Sequence, residues 1–212
     1  MKLRLERVMV VGTSCCGKTT FAKALAALLK SPRIELDALY WGPHWQAKPD
    51  GEFRRLAEEA VLQDRWVIDG NYSVLRNVIW PRATAVIWLN YDFSIIFLRG
   101  FVRSLRRSLL SEELYAGNRE SLKRTFFTKD SILWWIIRTY KTRRRNYRRM
   151  LETRRFPELE WIELRKPAEA EEFIQTLRSL TQADEEEAID RMKEIEPATR
   201  QRNDPQRAIE EK

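Results

Sequence analysis

Gly12-Thr13-Ser14-Cys15-Cys16-Gly17-Lys18-Thr19 spells a complete G-x-x-x-x-G-K-T phosphate-binding loop. Its setting matters as much as its spelling. The apolar run Val8-Met9-Val10-Val11 leads into it, and the helical period Phe21, Leu25, Leu28, Leu29 leads out. The loop therefore falls between a strand and a helix, where its chemistry works. Glycines let backbone N–H groups close around phosphate oxygens, and the new helix adds the positive end of its dipole. Gly12, Thr13, Ser14, Cys15, Cys16, Gly17, Lys18, Thr19 and Thr20 form the expected phosphate cradle. Lys18 is placed to reach the β- and γ-phosphates and so to act in catalysis, and the Thr19 hydroxyl to ligate Mg²⁺. The cofactors implied are ATP and Mg²⁺.

Working outward, short apolar strands alternate with helical stretches, the signature of a parallel α/β sheet. Strands are expected at about 7–11, 33–36, 66–69, 85–90 and 161–164, and helices at about 18–30, 51–63 and 167–180. From Ser94 to Arg155 the period is helical, broken around Ala116-Gly117-Asn118. The fold class is α/β: a P-loop NTPase with a five-stranded parallel sheet flanked by helices.

Two acids close predicted strands at the carboxyl edge, where open α/β sheets bind their ligands. Asp69 ends Arg65-Trp66-Val67-Ile68-Asp69-Gly70 and is the expected Mg²⁺ partner of Thr19. Asp37 closes strand two and is positioned to accept an acceptor proton or orient the metal. Either acid could instead merely cap the turn behind it. Arg99, Arg103, Arg106 and Arg107 fall broadly on one face of a helix. Guanidinium groups stabilise charge spread over a transferring phosphoryl group, and Arg103 and Arg106 are the catalytic candidates. Their helix suits a lid.

Residues 97–155 carry 17 Lys+Arg against 5 Asp+Glu, and residues 181–212 carry 6 against 10. A basic helical region and an acidic tail thus hang on a neutral frame. Within 138–155 the run Arg143-Arg144-Arg145-Asn146-Tyr147-Arg148-Arg149 is interleaved with aromatics, the footprint of a nucleic-acid surface. It equally fits a helix turning arginines toward a polyphosphate, and periodicity does not separate the two. Tyr40, Trp41 and Trp45 could stack on a planar acceptor or plug the sheet edge, and His44, the one histidine, sits among them. The two cysteines are adjacent, so no disulfide framework exists. They read as small residues at variable loop positions or, since a thiol at a helix N-terminus tends toward thiolate, as a redox switch. No apolar run is long enough to cross a bilayer, so a cytoplasmic protein without a membrane partner is expected.

The chain resembles the adenylate-kinase-like family of P-loop proteins known as DNA topology modulation proteins. The similarity lies in Gly12–Thr20, in Glu35-Leu36-Asp37-Ala38-Leu39-Tyr40-Trp41, in Trp66-Val67-Ile68-Asp69-Gly70-Asn71-Tyr72, in Val86-Ile87-Trp88-Leu89 and in the arginine helix 99–107. It spans about residues 7–180 and implies a nucleoside-monophosphate-kinase-like fold with ATP in the loop and a helical lid. Adenylate kinases follow the strand-three Asp-Gly with Phe-Pro-Arg, whose Arg holds the AMP phosphate. Here Asp69-Gly70 is followed by Asn71-Tyr72, with the next arginine at 76.

The expected organisation is a kinase-like domain over 1–180, with a basic lid at 97–155, and a charged, partly disordered tail over 181–212. The expected activity is Mg-ATP-dependent phosphoryl transfer to a small acceptor: a nucleotide, nucleoside or other hydroxyl compound. The alternative is a nucleic-acid-associated NTP-binding regulator using 138–155.

Overall fold

The five apolar segments form five parallel strands: β1 (Arg7–Gly12), β2 (Arg33–Glu35), β3 (Trp66–Asp69), β4 (Ala85–Leu89) and β5 (Glu160–Leu164). Their spatial order is β2-β3-β1-β4-β5. The structure, a computed structural model, describes residues 3–110, 116 and 131–183. β1 lies at the centre, with Val10 opposite Asp69 of β3 on one side and Ile87 of β4 on the other. The chain leaves β1 toward β2 and β3 and later returns to add β4 and β5. The loop after β1 therefore sits at the topological switch point, where such sheets open a ligand crevice.

β3 and β4 are buried along their whole lengths. Strands covered on both faces read as continuous apolar runs, which is why the sequence displays them so plainly. One face carries Met9, Val11, Ile68, Val86 and Trp88, covered by Phe53, Ala57, Val78 and Ile79 and by Tyr147 and Met150. α1 (Lys18–Leu28) packs on β1, β2 and β3, burying Phe21, Ala22, Leu25 and Ala26. Each such large side chain contributes about 1.5–3 kcal/mol on burial. Trp66 is fully buried, yet its indole N–H finds no acceptor, which offsets about 1–3 kcal/mol of that gain.

The helix boundaries follow local chemistry. α1 ends two residues short of expectation because Lys30 turns left-handed (φ 47°), with Ser31 N–H donating to Ala26 O. β2 is shorter than expected: the chain turns helical at Leu36, and α2 (Leu36–Tyr40) takes the residues that the sequence assigned to the strand end. α3 (Asp50–Ala60) starts behind Pro49, with Asp50 and Glu52 in its first turn, where the helix dipole favours acids. Short helical turns fill 73–82, including α4 (Arg76–Ile79). The long helical stretch divides into α5 (Phe93–Leu110) and α6 (Ile132–Glu152), the latter capped by the Ser131 hydroxyl accepting from Leu133 N–H. The break expected at 116–118 lies outside the described residues save Ala116, which is in a 3-10 turn. Residues 167–183 are helical (α7), and the rest of the acidic tail lies outside the described residues. By contacts the chain divides into two units, 1–171 and 172–212; the first contains every site discussed below. Among the described residues no helix is long and apolar enough to cross a membrane.

Candidate active site

β1 ends in Gly12 at φ +152°, and a Cβ there would stand 2.6 Å from Leu89 O and 2.7 Å from Cys16 Sγ. Only glycine fits. Gly17, at φ +99°, turns the chain into α1. Between them the loop closes on itself: Cys16 N–H donates to Thr13 O at 3.2 Å, and Lys18 Nζ donates to the same carbonyl at 3.1 Å. The lysine thus lies back over the loop. Thr19 and Thr20 stand exposed at the start of α1. The residues expected to form the cradle are therefore brought together.

Two residues outside the loop fix its shape. Asn71 Nδ2 donates to Gly12 O at 2.6 Å, and its Oδ1 accepts from Gly12 N–H at 3.3 Å. That same Oδ1 accepts from the Tyr147 hydroxyl of α6 at 2.9 Å. Arg99 Nη1 of α5 donates to Cys16 O at 3.1 Å, with its guanidinium 5.5 Å from the centre of the Tyr91 ring. Gly100 permits this approach, since a Cβ there would come within 2.8 Å of Ile136 Cδ1 and 3.4 Å of Cys15 Sγ. Asn71→Ala leaves both backbone groups of Gly12 without these partners, and the expected cost is about 2–4 kcal/mol. ADP affinity should fall about tenfold as the loop drifts. Tyr147→Phe removes one bond and should cost about 1 kcal/mol. Urea unfolding and calorimetric titration with ADP check both.

The acids are arranged differently from expectation. Asp69 does close β3 and is 3% exposed. Its Oδ2 is buried without a hydrogen bond, 3.6 Å from Arg33 Nη1. Burial, then the charge of Glu35, pushes its pKa from 3.8 to about 6, against the Thr19 hydroxyl, Arg33 and Lys18, which pull it down. The carboxylate that ends β2 is Glu35, paired in register with Asp69 and bonded to Arg33 at 2.9 Å. Asp37 does not close that strand. It lies in the first turn of α2, where its Oδ1 accepts from the Tyr72 hydroxyl at 2.7 Å. The reading failed there because a three-residue edge strand leaves too little pattern to mark its end.

Of the arginine set, Arg99 donates a hydrogen bond to the loop. Arg103 is half-buried, with Nε lacking a partner, and acts electrostatically on Cys15; Arg106 stands exposed on α5. Both loop thiols are pushed up by burial, which outweighs the nearby cations. They remain thiols at neutral pH, which fits small residues at variable loop positions better than a redox switch. In the aromatic loop, Tyr40 packs edge-on against Phe53 and lies 4.8 Å from the Tyr72 ring, while Trp41 and Trp45 meet each other edge to face. Tyr40 is partly buried against the apolar core of the sheet. His44 is exposed in a left-handed conformation. On α6, Arg143 covers Trp135 and Arg144 donates to the Tyr140 hydroxyl, while Arg138, Lys141, Arg145, Arg148 and Arg149 are exposed. Asn71 and Tyr147 escaped sequence reasoning as site residues. The signal available for Asn71 was its place directly after Asp69-Gly70; Tyr147 was visible only as an aromatic inside the arginine run 143–149.

Among solved structures the chain is similar to a shikimate kinase from Acinetobacter baumannii in complex with shikimate. The TM-score is 0.51 at 14% identity, over 86% of this chain and 96% of that one. The fold is that of the P-loop kinases. A shikimate kinase from Bacteroides thetaiotaomicron (TM-score 0.49, 18% identity, 83% of this chain and 98% of that one) and a gluconokinase from Sinorhizobium meliloti 1021 (0.47, 17%, 89% and 98%) also match. No protein-family model and no curated protein matches the sequence. None of these matches bears on the narrower resemblance to DNA topology modulation proteins.

Proposed function

We propose that the chain is a Mg-ATP-dependent phosphotransferase acting on a small acceptor. The observation that carries this reading is the loop itself: an intact cradle, locked by Asn71, with Lys18 folded across it. The residues also suit the cofactors. Gly12 and Gly17 let the loop take a path where a side chain would clash or be strained, and Asp69 holds a buried carboxylate oxygen with no hydrogen bond. Among the described residues no three His, Cys, Asp or Glu side chains group to hold a metal by themselves. A cation bound by Thr19 and Asp69 would complete its shell with phosphate and water. When bound, Mg²⁺ would neutralise charge on the phosphate chain and orient it.

In this reading Lys18 and the amides of residues 13–19 bind the phosphates. Asp37, held by Tyr72, takes or orients the proton of the acceptor hydroxyl. Arg103 and Arg106 stabilise the transferring charge from α5, Arg103 from the half-buried side and Arg106 from the exposed side. The Acinetobacter baumannii shikimate kinase of similar fold is in complex with shikimate, and small hydroxylated acids of that kind are the acceptor chemistry to try first. The test is ATP turnover against a panel of nucleotides, nucleosides and small hydroxyl compounds. A compound that raises ADP release and becomes phosphorylated supports the reading; ADP release unaffected by any of them opposes it.

A second reading rests on α6, where Trp134 and Trp135 are 46% and 47% exposed beside exposed arginines. A nucleic-acid surface of this kind predicts affinity that falls steeply with salt. Replacing Arg138, Arg145 and Arg149 together with Ala should then reduce the salt slope by about three. Arg143 and Arg144 are poorer probes because each is tied to an aromatic neighbour. Fluorescence anisotropy with a labelled oligonucleotide from 50 to 300 mM salt decides it, and no measurable binding at low salt eliminates the surface.

A further inference from the structure

A pocket opens beside the phosphate loop, lined by Gly70, Asn71, Tyr72, Ser73 and Arg76 over a floor that includes Val11 and Tyr147. It is small and shallow, about 10 Å³ and open to solvent, so it has room for about one water-sized polar group at its floor. Two of its walls lead directly to the chemistry. Asn71 grips Gly12 of the loop, and the hydroxyl of Tyr72 donates to Asp37.

Arg76 is the anomaly in this pocket. Its guanidinium leans over Trp80, 6.0 Å from the ring centre, and its Nε is buried without a hydrogen-bond partner. Among the described residues no carboxylate pairs with it. Other cations nearby are matched: Arg33 pairs with Glu35 and Asp69, Arg54 with Glu58, and Arg55 with Glu59. A guanidinium partly removed from water is costly unless an anion answers it. Its planar fork fits a carboxylate or phosphate with two parallel hydrogen bonds. Tyr72, Ser73 and Asn71 add uncharged polar groups around the same space, and none of them can neutralise Arg76.

We propose that Arg76 anchors an anionic group of the acceptor, which makes the acceptor a small hydroxylated acid or a phosphate ester. This rests on the kinase reading for its placement: the anion lies at Arg76, and the hydroxyl of the same molecule faces Asp37 and the loop. Neutral nucleosides and sugars leave Arg76 unanswered and are disfavoured. The arrangement differs from an adenylate-kinase acceptor site, whose arginine stands closer to the strand-three Asp-Gly.

The experiment uses the full chain with ADP and Mg²⁺ at saturation, so that the loop is filled. Malonate, as a minimal carboxylate, and inorganic phosphate are titrated separately at constant ionic strength held with sodium chloride, following the melting temperature and the heat of binding. Wild type is expected to be stabilised by at least one of the two, and which one tells a carboxylate site from a phosphate site. Arg76→Gln should weaken that binding about 10- to 100-fold while leaving ADP affinity unchanged. Arg76→Lys, which keeps charge and loses the fork, should retain part of it. Exposed-surface Arg138→Gln should retain all of it. Without anions, Arg76→Gln should melt no lower than wild type, because an unanswered charge has been removed. Equal stabilisation of wild type and Arg76→Gln, or none in wild type, overturns the proposal. Should Arg76→Gln fail to fold, undiminished anion binding by Arg76→Lys with a neutral-alcohol control equal to the anion overturns it instead. Failure of wild type to bind ADP at all would count against the kinase reading, and Arg76-dependent anion binding would stand apart from that result.

Discussion

Lys18→Ala is expected to reduce ATP turnover at least about a thousandfold and to raise the dissociation constant for ATP by a large factor. The size of the effect follows from what replaces the amine. In the resting loop Lys18 Nζ makes one hydrogen bond, to Thr13 O at 3.1 Å. With nucleotide present it would give up that bond for charge-assisted bonds to phosphate oxygens, each roughly twice as strong as a neutral one. Loss of the resting bond should cost stability only about 1 kcal/mol. A sharp separation is therefore predicted between a nearly unchanged melting temperature and an almost absent turnover. Lys18→Met, which keeps the aliphatic stem, should behave in the same way. Steady-state kinetics with calorimetric ATP titration measures it, and near-native turnover in either variant removes the loop from the chemistry.

Asp69→Asn is expected to stabilise the protein and to abolish Mg²⁺-dependent turnover together. Asp69 titrates near 6 in the folded chain against 3.8 ordinarily, chiefly because it is buried, and secondly because Glu35 lies beside it. For an acid whose folded pKa is raised, the penalty is absent below about pH 4, grows between 4 and 6, and is complete above 6. At pH 7 it amounts to about 3 kcal/mol. Asparagine removes the charge, so the variant should melt higher than wild type at pH 7–8, with the advantage vanishing toward pH 4. In the proposed reading, a cation at Asp69 would compete with its proton below about pH 6. Mg-ADP affinity should therefore weaken progressively below pH 6 and level off above it, with proton release detectable by titrating in buffers of different ionisation enthalpy. A variant that melts lower at pH 7, or still turns over ATP with Mg²⁺, contradicts this account of Asp69.

The contrast between these two residues also marks how far the sequence can be read. Lys18 sits in a loop whose spacing is dictated by phosphate geometry, and β1, β3 and β4 are buried on both faces, so their residue types carry the pattern directly. Asp69 was legible for the same reason: it follows three buried apolar residues. Asp37 was not placed correctly, because β2 has three residues and the helical turn after it begins without a capping side chain. Asn71, Arg99 and Tyr147 act on the loop from 59, 83 and more than 130 residues away. Contacts at that separation leave no periodicity for a local reading to find. Arg99 was visible as a member of an arginine face, yet periodicity alone gave no reason to prefer it over Arg106, which turns out exposed.

The link from Tyr147 through Asn71 to Gly12 has a consequence for how the protein comes into being on the ribosome. The phosphate loop is synthesised before the groups that set its shape, which arrive at residues 71, 99 and 147. A nascent chain that has released only β1 to β4 holds the motif without its final geometry. Nucleotide retention should therefore appear only after α6 has emerged and docked, so the loop must wait for a helix encoded far downstream.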